Sequence, residues 1–346
     1  MLITTLFNIK RPLIQSPMAG AQDSKLCIAV SKAGALGSLP CAMLNTEMIE
    51  QEVLKIRSAT KNPINLNFFC HQALDFSEEK EILWRQNLAP YYKEHNIDAP
   101  PIKSKMGRHP FNSENLSLIE RLKPEVISFH FGLPEAALWD RLRDCGAKLI
   151  STATTLEEAL YLESQGVDAV ISQGLEAGGH RGHFLDPNLS LQLPNEQLLA
   201  RLVEHLNIPV ISAGGIFESG SVKAAMDQGA AGVQVGTSYL LCHESRISSL
   251  HRQALQSTLA KETALTNLFS GRPARGIVNR LMKEVGPLST IVPDFPMAGS
   301  ATLSLRKAAE KKGSVDFTPL WSGVNNQGCR EISATEMTQL LVKEII

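Results

Sequence analysis

The stretch from Gln173 to His183 combines side chains that could carry out chemistry at neutral pH. Gly178-Gly179 would let the backbone pass close to a flat ligand, and the Gln173 amide can both donate to and accept from the edge of a heterocycle. His180 follows the glycines directly, and a neutral imidazole is the usual group for abstracting a proton near pH 7. A histidine in a loop is more often structural, but this position beside a double glycine favours catalysis. We predict His180 as the catalytic residue.

Three further side chains leave alternatives open. His130 ends a predicted strand and either lines the pocket or packs behind it. His183 lies three residues after His180, and the two could in principle bind a metal ion. Because no third ligand lies nearby in the sequence, we predict no metal site. His130 and His183 are kept as candidate substrate-pocket residues, and Arg181 either holds an anion or braces its loop.

Two glycine-containing turns predict a phosphate site. Ala213-Gly214-Gly215-Ile216 would let backbone N–H groups approach an anion, and Gly236-Thr237-Ser238 adds N–H groups and a hydroxyl. The two turns follow the last two predicted strands, where parallel barrels commonly bind phosphate. The sequence has no Walker A lysine, which argues against a nucleoside triphosphate. It also has no nucleophile elbow and no paired carboxylates at strand ends, which argues against serine hydrolases and glycosidases.

The elements that must position these residues repeat along the chain as a helix, a glycine and a short apolar strand. Gly34, Gly146, Gly166 and Gly229 each occupy the place where a left-handed glycine ends a helix. The strands are apolar without alternation, as expected when both faces are buried. They are predicted near residues 12–17, 35–39, 63–68, 126–131, 147–152, 167–172, 208–213 and 230–236. Eight alternating units favour an α/β fold, a TIM (β/α)8 barrel. One intervening helix is expected to begin with a capping box at Thr155-Leu156-Glu157-Glu158.

Two segments do not fit the plain repeat. Residues 70–125 form a long insertion after the third strand, and residues 270–346 form a C-terminal extension. We expect a single domain over residues 1–346, with a barrel core at about 12–260 and both additions packed near the barrel mouth. Either addition could also make a homodimer contact.

Composition excludes several classes of protein. Lys plus Arg number 34 and Asp plus Glu number 35, a net charge of −1, so the chain lacks the basic surface that nucleic acid or an anionic membrane attracts. With 43 % hydrophobic residues it is not disordered. No apolar run is long enough to span a bilayer, and the N-terminus does not look like a signal peptide. The six cysteines form no metal or disulfide pattern, which indicates reduced thiols and a cytoplasmic location.

Several motifs together resemble the nitronate monooxygenases, formerly 2-nitropropane dioxygenases, and in particular their first class. The motifs are QSPMAG (15–20), NLNFF (65–69), SFHFG (128–132), STATTLEEA (151–159), DAVISQGLEAGGHRG (168–182), ISAGGI (211–216), GVQVGTSYL (232–240) and FSGRPARG (269–276). They cover most of the barrel and part of the extension in the family's order. A single GGI or GGH would not be specific, but the set is.

The resemblance implies an FMN enzyme that oxidises alkyl nitronates with O₂, releasing nitrite and a carbonyl compound; propionate 3-nitronate is a frequent substrate in the family. The family's catalytic histidine falls on His180, which would act as a base or as a hydrogen-bond donor. The implied cofactor-binding residues, taken with the glycines of the turns above, are Met18, Ala19, Gly20, Asn67, Gln173, Gly178, Gly179, Gly214, Gly215, Gln234, Val235, Gly236 and Thr237. Val324 stands where the family pattern has Gln, so the substrate mouth is expected to differ in detail.

Two other functions remain compatible with the residues. One is an NAD(P)H-dependent FMN reductase on the same barrel, acting on an enoyl thioester or a quinone; no GxGxxG follows a predicted strand, which is weak evidence against it. The other is a phosphate-sugar lyase or isomerase without redox chemistry, which would purify colourless. A flavin absorption spectrum would exclude the lyase or isomerase, which is colourless. Rapid bleaching of the flavin by NADH would indicate a reductase rather than a nitronate monooxygenase.

Overall fold

The computed structural model describes residues 2–72, 75–102 and 109–345. Within these ranges the strands are β1 (Leu13–Gln15), β2 (Gly37–Pro40), β3 (Ile64–Phe69), β4 (Val126–His130), β5 (Lys148–Ala153), β6 (Ala169–Gln173), β7 (Gly179–His180), β8 (Val210–Ala213), β9 (Gly232–Val235), β10 (Thr263–Thr266) and β11 (Ala274–Ile277). The helices are α1 (Ile3–Phe7), α2 (Ser24–Lys32), α3 (Thr46–Ala59), α4 (Glu78–Glu94), α5 (Ser113–Leu122), α6 (Ala136–Arg143), α7 (Leu156–Ser164), α8 (Asn195–His205), α9 (Ser219–Asp227), α10 (Ser249–Leu255), α11 (Arg280–Val285), α12 (Gly299–Lys311) and α13 (Ala334–Leu341).

Eight parallel strands form a barrel, which confirms the predicted fold. Their order is β1-β9-β8-β6-β5-β4-β3-β2. The barrel closes between β1 and β2 where the Gln15 backbone N–H donates to Leu36 O at 2.9 Å and the Leu36 N–H donates to Leu13 O at 2.9 Å. Each predicted strand overlaps an observed one. Among the described residues, no helix is long and apolar enough to cross a membrane.

Alternation along β3 shows how the strands place polar groups inside the barrel. Ile64, Leu66 and Phe68 pack in the hydrophobic layer under the helices. Asn65 and Asn67, on the opposite face, reach neighbouring strands instead: Asn65 Nδ2 donates to Ser38 Oγ at 3.0 Å and Asn67 Nδ2 donates to Ser128 Oγ at 2.9 Å. Because successive side chains of a strand point to opposite faces, this pattern brings Asn67 to the carboxyl-terminal end of the barrel interior.

Helix α7 begins as its sequence predicts, with one difference. The Thr155 hydroxyl accepts from the Glu158 backbone N–H, and Gly166 at φ 81° follows the helix end. The Glu158 carboxylate does not complete a capping box. It is buried and accepts from the Thr154 N–H at 2.7 Å and the Phe184 N–H at 2.6 Å. The helix start therefore ties the loop after β6 to the loop after β5.

The insertion and the extension pack against each other. Helix α5, within the insertion, packs against α3 and α6 as a barrel helix. Helix α4 lies instead against α12 of the extension, where Trp84, Leu88 and Phe317 form part of a hydrophobic cluster separate from that of the barrel. The Tyr92 hydroxyl donates to Ala301 O at 2.9 Å across this contact. Residues 73–74 and 103–108 of the insertion lie outside the described part.

A second sheet links the extension to the loop after β6. Its strand order is β10-β11-β7, all antiparallel, with Ala274 opposite His180 and Arg275 opposite Gly179. The Arg181 backbone N–H continues the pairing by donating to Pro273 O at 2.8 Å. The extension thus fixes the backbone on both sides of His180.

Candidate functional site

A cavity of about 460 Å³ opens at the carboxyl-terminal ends of the barrel strands. This volume lies within the range typical of small-molecule sites. The predicted residues that line it are Met18, Ala19, Gly20, Asn67, His130, Gln173, Gly178, Gly179, His180, Gly214, Gly215, Gln234, Gly236 and Thr237. Val235 and His183 do not line it: Val235 is buried in the barrel core, and His183 is buried behind the loop after β6.

The loop after β1 is held by a buried glutamine pair that the sequence did not single out. Gln22 Oε1 accepts from the Met18 backbone N–H at 3.0 Å, and its Nε2 donates to Ser38 O at 2.6 Å. Gln15 Nε2 donates to the same Gln22 oxygen at 2.6 Å. Since Met18 lines the cavity, these bonds fix that wall relative to β2.

Arg181 braces the loop after β6, which decides between its two alternatives. Its side chain is fully buried and donates to Gly174 O at 2.7 Å, Gln173 O at 2.8 Å and Gln192 Oε1 at 2.7 Å. Burial lowers the pKa of this guanidinium to about 9, which leaves it charged at neutral pH. A cation bonded to carbonyl oxygens and hidden from the cavity cannot hold a ligand anion.

The Gln173 side chain also stabilises the loop that follows it. Its Nε2 donates to His180 O at 2.9 Å and its Oε1 accepts from the Gly182 N–H at 2.8 Å. Both ends of the amide thus hold the backbone around His180, while the side chain still lines the cavity. Gly182 is itself required, because a Cβ there would lie 2.8 Å from His130 Cε1.

The His180 ring reaches the extension. Its Nε2 lies 2.9 Å from Ser270 Oγ, and that hydroxyl donates to Arg272 O at 3.1 Å. Because a hydroxyl has one proton, the Ser270 oxygen accepts from His180 Nε2–H. In the neutral ring the lone pair then resides on Nδ1. Ser270 therefore selects one tautomer of the predicted catalytic residue.

Aromatic rings surround His180. The centroid of its ring lies 5.5 Å from that of Phe295, 5.6 Å from Trp321 and 6.3 Å from Phe69. Phe131 completes the group at 6.1 Å. Phe295 and Trp321 come from the extension, so two parts of the chain enclose the ring in an apolar surrounding. Such a surrounding strengthens electrostatic interactions inside it.

His130 and His183 are both kept neutral. Burial lowers the pKa of His130 to about 3. Its Nδ1 lies 3.1 Å from Thr152 Oγ1 and its Nε2 lies 3.2 Å from His180 O, so it both lines the cavity and supports the His180 backbone. Burial and the nearby Arg272 and Arg181 lower the pKa of His183 to about 3. Neither ring carries charge at neutral pH.

The turns after β8 and β9 form another wall of the cavity. Gly214 and Gly215 have φ values of 108° and 75°, which L side chains rarely adopt. A chain segment of the extension crosses these turns: the Gly323 N–H donates to Thr237 Oγ1 at 3.0 Å, and Asn325 Nδ2 donates to Gly215 O at 2.8 Å. At Val324, where the resemblance expects Gln, the backbone N–H donates to Glu176 O at 3.1 Å. The wall therefore consists largely of backbone.

Sequence reasoning missed the side chains that the extension brings to the site. Ser270, Arg272 and Arg275 all belong to FSGRPARG (269–276). Arg275 Nε donates to Leu175 O at 2.8 Å, while an Arg272 Nη donates to His183 O and its guanidinium lies 4.1 Å from the centre of the Phe131 ring. The motif itself is part of the family resemblance, but nothing in the sequence indicates which barrel loop it contacts.

The fold and the cavity together define a class: a (β/α)8-barrel enzyme with a ligand-sized cavity at the carboxyl ends of the strands. The profile of the nitronate monooxygenase family matches residues 1–344. The chain belongs to this family of oxidoreductases, which confirms the resemblance found in the sequence.

Individual relatives and a solved structure are similar to this chain over nearly its whole length. A nitronate monooxygenase of Pseudomonas aeruginosa is 36 % identical over 345 residues, covering 99 % of this chain and 98 % of the relative. A probable nitronate monooxygenase of Staphylococcus saprophyticus is 36 % identical over 344 residues, with 99 % and 96 % covered. The structure of a nitroalkane oxidase from Streptomyces ansochromogenes superposes with a TM-score of 0.90 at 34 % identity, covering 99 % of this chain and 97 % of that one. These values describe similarity over the whole length of the chain.

Proposed function

We propose that this protein is an FMN-dependent nitronate monooxygenase, which uses O₂ to convert alkyl nitronates such as propionate 3-nitronate into nitrite and a carbonyl compound. The observation that carries the proposal is a single cavity lined both by His180 and by the glycine turns after β8 and β9. The relatives' printed names supply the reaction class.

The cavity fits a flavin mononucleotide by its chemistry. Gly214 and Gly215 leave the backbone after β8 without side chains, so a phosphate could approach their backbone N–H groups closely. A Cβ on Gly236 would lie 3.1 Å from Ser16 Cβ, so that position also favours glycine. Within the described chain, Gln234 Oε1 is buried without a hydrogen-bond partner although the residue lines the cavity. An acceptor in that state matches a ligand with N–H donors.

FMN, when bound, supplies the electron chemistry, and the protein supplies binding and orientation. Met18, Ala19, Gly20, Asn67, Gln173, Gly178, Gly179, Gln234 and the turns at Gly214-Gly215 and Gly236-Thr237 are the residues assigned to hold it. Val235 contributes through its backbone, because its side chain points into the core.

His180 is assigned to proton transfer or to hydrogen bonding with the substrate. With a neutral nitroalkane, the ring would remove the proton next to the nitro group and so generate the nitronate. With a preformed nitronate no proton has to be removed, and the protonated ring of His180 would donate a hydrogen bond to the anion from Nδ1, since Nε2–H is already donated to Ser270. The aromatic rings around His180 give it an apolar surrounding, which strengthens either interaction.

The absorption spectrum and FMN content of the purified protein test the proposal. We expect an oxidised flavin spectrum with about one FMN per chain, which remains oxidised on anaerobic mixing with NADH and is reduced by propionate 3-nitronate. A colourless protein that binds no FMN would contradict the proposal and favour a lyase or isomerase. Rapid bleaching by NADH would favour a reductase.

A further inference from the structure

A second cavity opens at the opposite face of the barrel, where the strands begin. It has a volume of about 390 Å³, and its polar lining residues are Lys10, Arg11, Lys32, Asn62, Thr335 and Gln339. We call it the basal cavity. Asn62 precedes β3, while Asn67, which lines the cavity around His180, lies near the end of that strand. At the rise of an extended strand the two positions lie about 17 Å apart. The basal cavity is therefore separate from the candidate active site.

The basal cavity carries positive charge without a counterion. Lys10 and Lys32 are exposed and Arg11 is half-buried. Among the described residues, none of these three cations forms an ion pair, and no acidic side chain lines the cavity. Three positive charges that converge on one concavity raise the local concentration of anions.

Arg11 is held so that its terminal nitrogens face a ligand. Its Nε donates to Ala33 O at 2.8 Å. In the described part of the chain, neither of its terminal NH₂ groups has a hydrogen-bond partner, and this fork of donors fits a phosphate. The stem of Lys10 packs beside it, because a Cβ on Gly34 would lie 3.1 Å from Lys10 Cβ and 3.4 Å from Lys10 Cδ. That packing limits the positions of the Lys10 ammonium group.

The end of α2 does not account for these cations. The last carbonyl groups of a helix lack partners and attract positive charge. Here other groups already bond them: Ser31 O accepts from Asn62 Nδ2 at 2.7 Å, and Gly34 O accepts from the backbone N–H groups of Lys10 and Arg11 at 2.9 Å each. The charged ends of the three side chains are thus available to an anion from outside the chain.

The neutral residues of the basal cavity indicate what accompanies the negative charge. Asn62 has its Nδ2 bonded to Ser31 O, and Thr335 Oγ1 donates to Ala29 O at 3.2 Å. Each therefore offers an oxygen that can accept from a ligand hydroxyl. Within the described chain no aromatic ring lines the cavity, so a nucleobase would lack the stacking partner that such bases usually find. The lining favours a hydroxylated, non-aromatic ligand.

The C-terminal extension forms one wall of the basal cavity. Thr335 and Gln339 lie on α13, which packs against α2. The segment that ends at Arg11 and the end of α2 form the other walls. Three separate parts of the chain therefore meet around the cations, as in a formed binding site rather than a single basic stretch.

We infer that the basal cavity binds a phosphate ester of a hydroxylated, non-aromatic compound, such as a sugar phosphate. The phosphate meets the terminal nitrogens of Arg11 and the ammonium groups of Lys10 and Lys32. The hydroxyl groups of the ligand meet Asn62 and Thr335. Three cations attract a phosphate dianion more strongly than a singly charged carboxylate. This site is additional to the candidate active site and does not depend on the proposed function.

Titration of the purified protein, saturated with FMN, with glucose 6-phosphate tests the inference. Added FMN occupies the glycine turns after β8 and β9, which would otherwise compete for phosphate. Ligand-observed NMR at a fixed ionic strength of about 0.15 M measures the affinity. We expect a Kd on the order of 0.1–1 mM, at least about fivefold weaker binding of inorganic phosphate, and no measurable binding of glucose. Equal affinities for glucose 6-phosphate and inorganic phosphate would contradict the assignment to a phosphate ester.

Lys32→Gln tests where the ligand binds, with Lys25→Gln as its matched control. Both lysines lie on α2 and are exposed, but only Lys32 lines the basal cavity. Lys32→Gln should weaken the binding of glucose 6-phosphate at least about fivefold, and Arg11→Gln at least about tenfold, because Arg11 supplies two donors. Lys25→Gln should change it less than about twofold. The Lys32 side chain has no hydrogen bond within the described chain, so Lys32→Gln keeps the test valid if Arg11→Gln fails to fold.

Three results would overturn the inference. Unchanged affinity in both Lys32→Gln and Arg11→Gln would place the ligand elsewhere. An equal loss in Lys32→Gln and Lys25→Gln would indicate a general effect of charge. Release of FMN by glucose 6-phosphate, measured by flavin fluorescence, would indicate binding at the cofactor site.

Discussion

His180 Nε2 lies 2.9 Å from the hydroxyl of Ser270, a residue 90 positions further along the chain. The same hydroxyl donates to Arg272 O, so it accepts the Nε2 proton and sets the tautomer of the histidine. A barrel strand end supplies the histidine, and the C-terminal extension supplies its orienting partner. The extension therefore forms part of the cavity wall around His180, the residue predicted to be catalytic.

Replacing His180 by Asn should separate the two proposed roles of the ring. Turnover of a neutral nitroalkane should fall by about 10²–10⁴-fold, the usual contribution of a general base, because Asn cannot accept the proton. Turnover of the preformed nitronate should fall far less, because the amide still donates a hydrogen bond. Steady-state nitrite release from nitroethane and from ethylnitronate measures both. An equal loss on the two substrates would rule out the role as a base.

Gly178→Ala should weaken cofactor binding. A Cβ on Gly178 would lie 2.5 Å from Gly323 N and 2.6 Å from Ser322 C, so the segment that crosses the glycine turns must move. Overpacking of this kind costs about 1–3 kcal/mol, and we expect about tenfold weaker FMN binding by fluorescence titration. Gly220→Ala in α9 is the control, since nothing lies within 4 Å of its Cβ. Unaltered FMN affinity in Gly178→Ala would show that the segment does not support the cofactor.

Arg181→Met should destabilise the fold. It removes three buried hydrogen bonds from a charged donor and leaves their acceptors buried. Such bonds contribute about 1.5–3 kcal/mol each, so the free energy of unfolding should fall by about 3 kcal/mol or more in urea titrations of the FMN-free protein. Arg121→Met removes an exposed pair with Glu50 and should cost about 1 kcal/mol or less. Similar losses in the two variants would contradict the bracing role.

Stability should depend on pH through His130. Its pKa is about 3 in the folded protein and near 6.5 when unfolded, so between these values the unfolded chain binds more protons. The contribution of His130 to the free energy of unfolding is therefore fully present above pH 6.5. It is lost as the pH falls toward 3, by at most about 1.4 kcal/mol per pH unit. His130→Asn should reduce that slope in denaturant titrations that compare the variant with the wild type over this pH range. An unchanged slope in His130→Asn would mean that His130 is protonated in the folded protein.

The barrel could be predicted because its signals are local. The glycine that ends each helix and the short apolar strand that follows are adjacent in sequence, and Gly166 and strand β6 lie where that pattern puts them. The strand ends then bring His180, Gln173 and the glycine turns to one cavity. Their grouping follows from barrel geometry alone.

The extension could not be placed in the same way. Its contacts, such as Arg181 N–H with Pro273 O and Phe295 with His180, join residues about a hundred positions apart, and no local pattern encodes such a pairing. The predicted capping box at Glu158 was wrong for a related reason. The Glu158 carboxylate accepts from backbone N–H groups of two loops, at Thr154 and Phe184, and does not bond back to the start of its own helix. His183 follows His180 closely in sequence, yet it is buried and does not line the cavity.

Nitrite release from propionate 3-nitronate in air, measured with the purified FMN-loaded protein, tests the central claim most directly. The account predicts steady multiple-turnover formation of nitrite that requires O₂ and FMN. Absence of nitrite from a protein that retains FMN, or nitrite formation that continues unchanged without O₂, would contradict it.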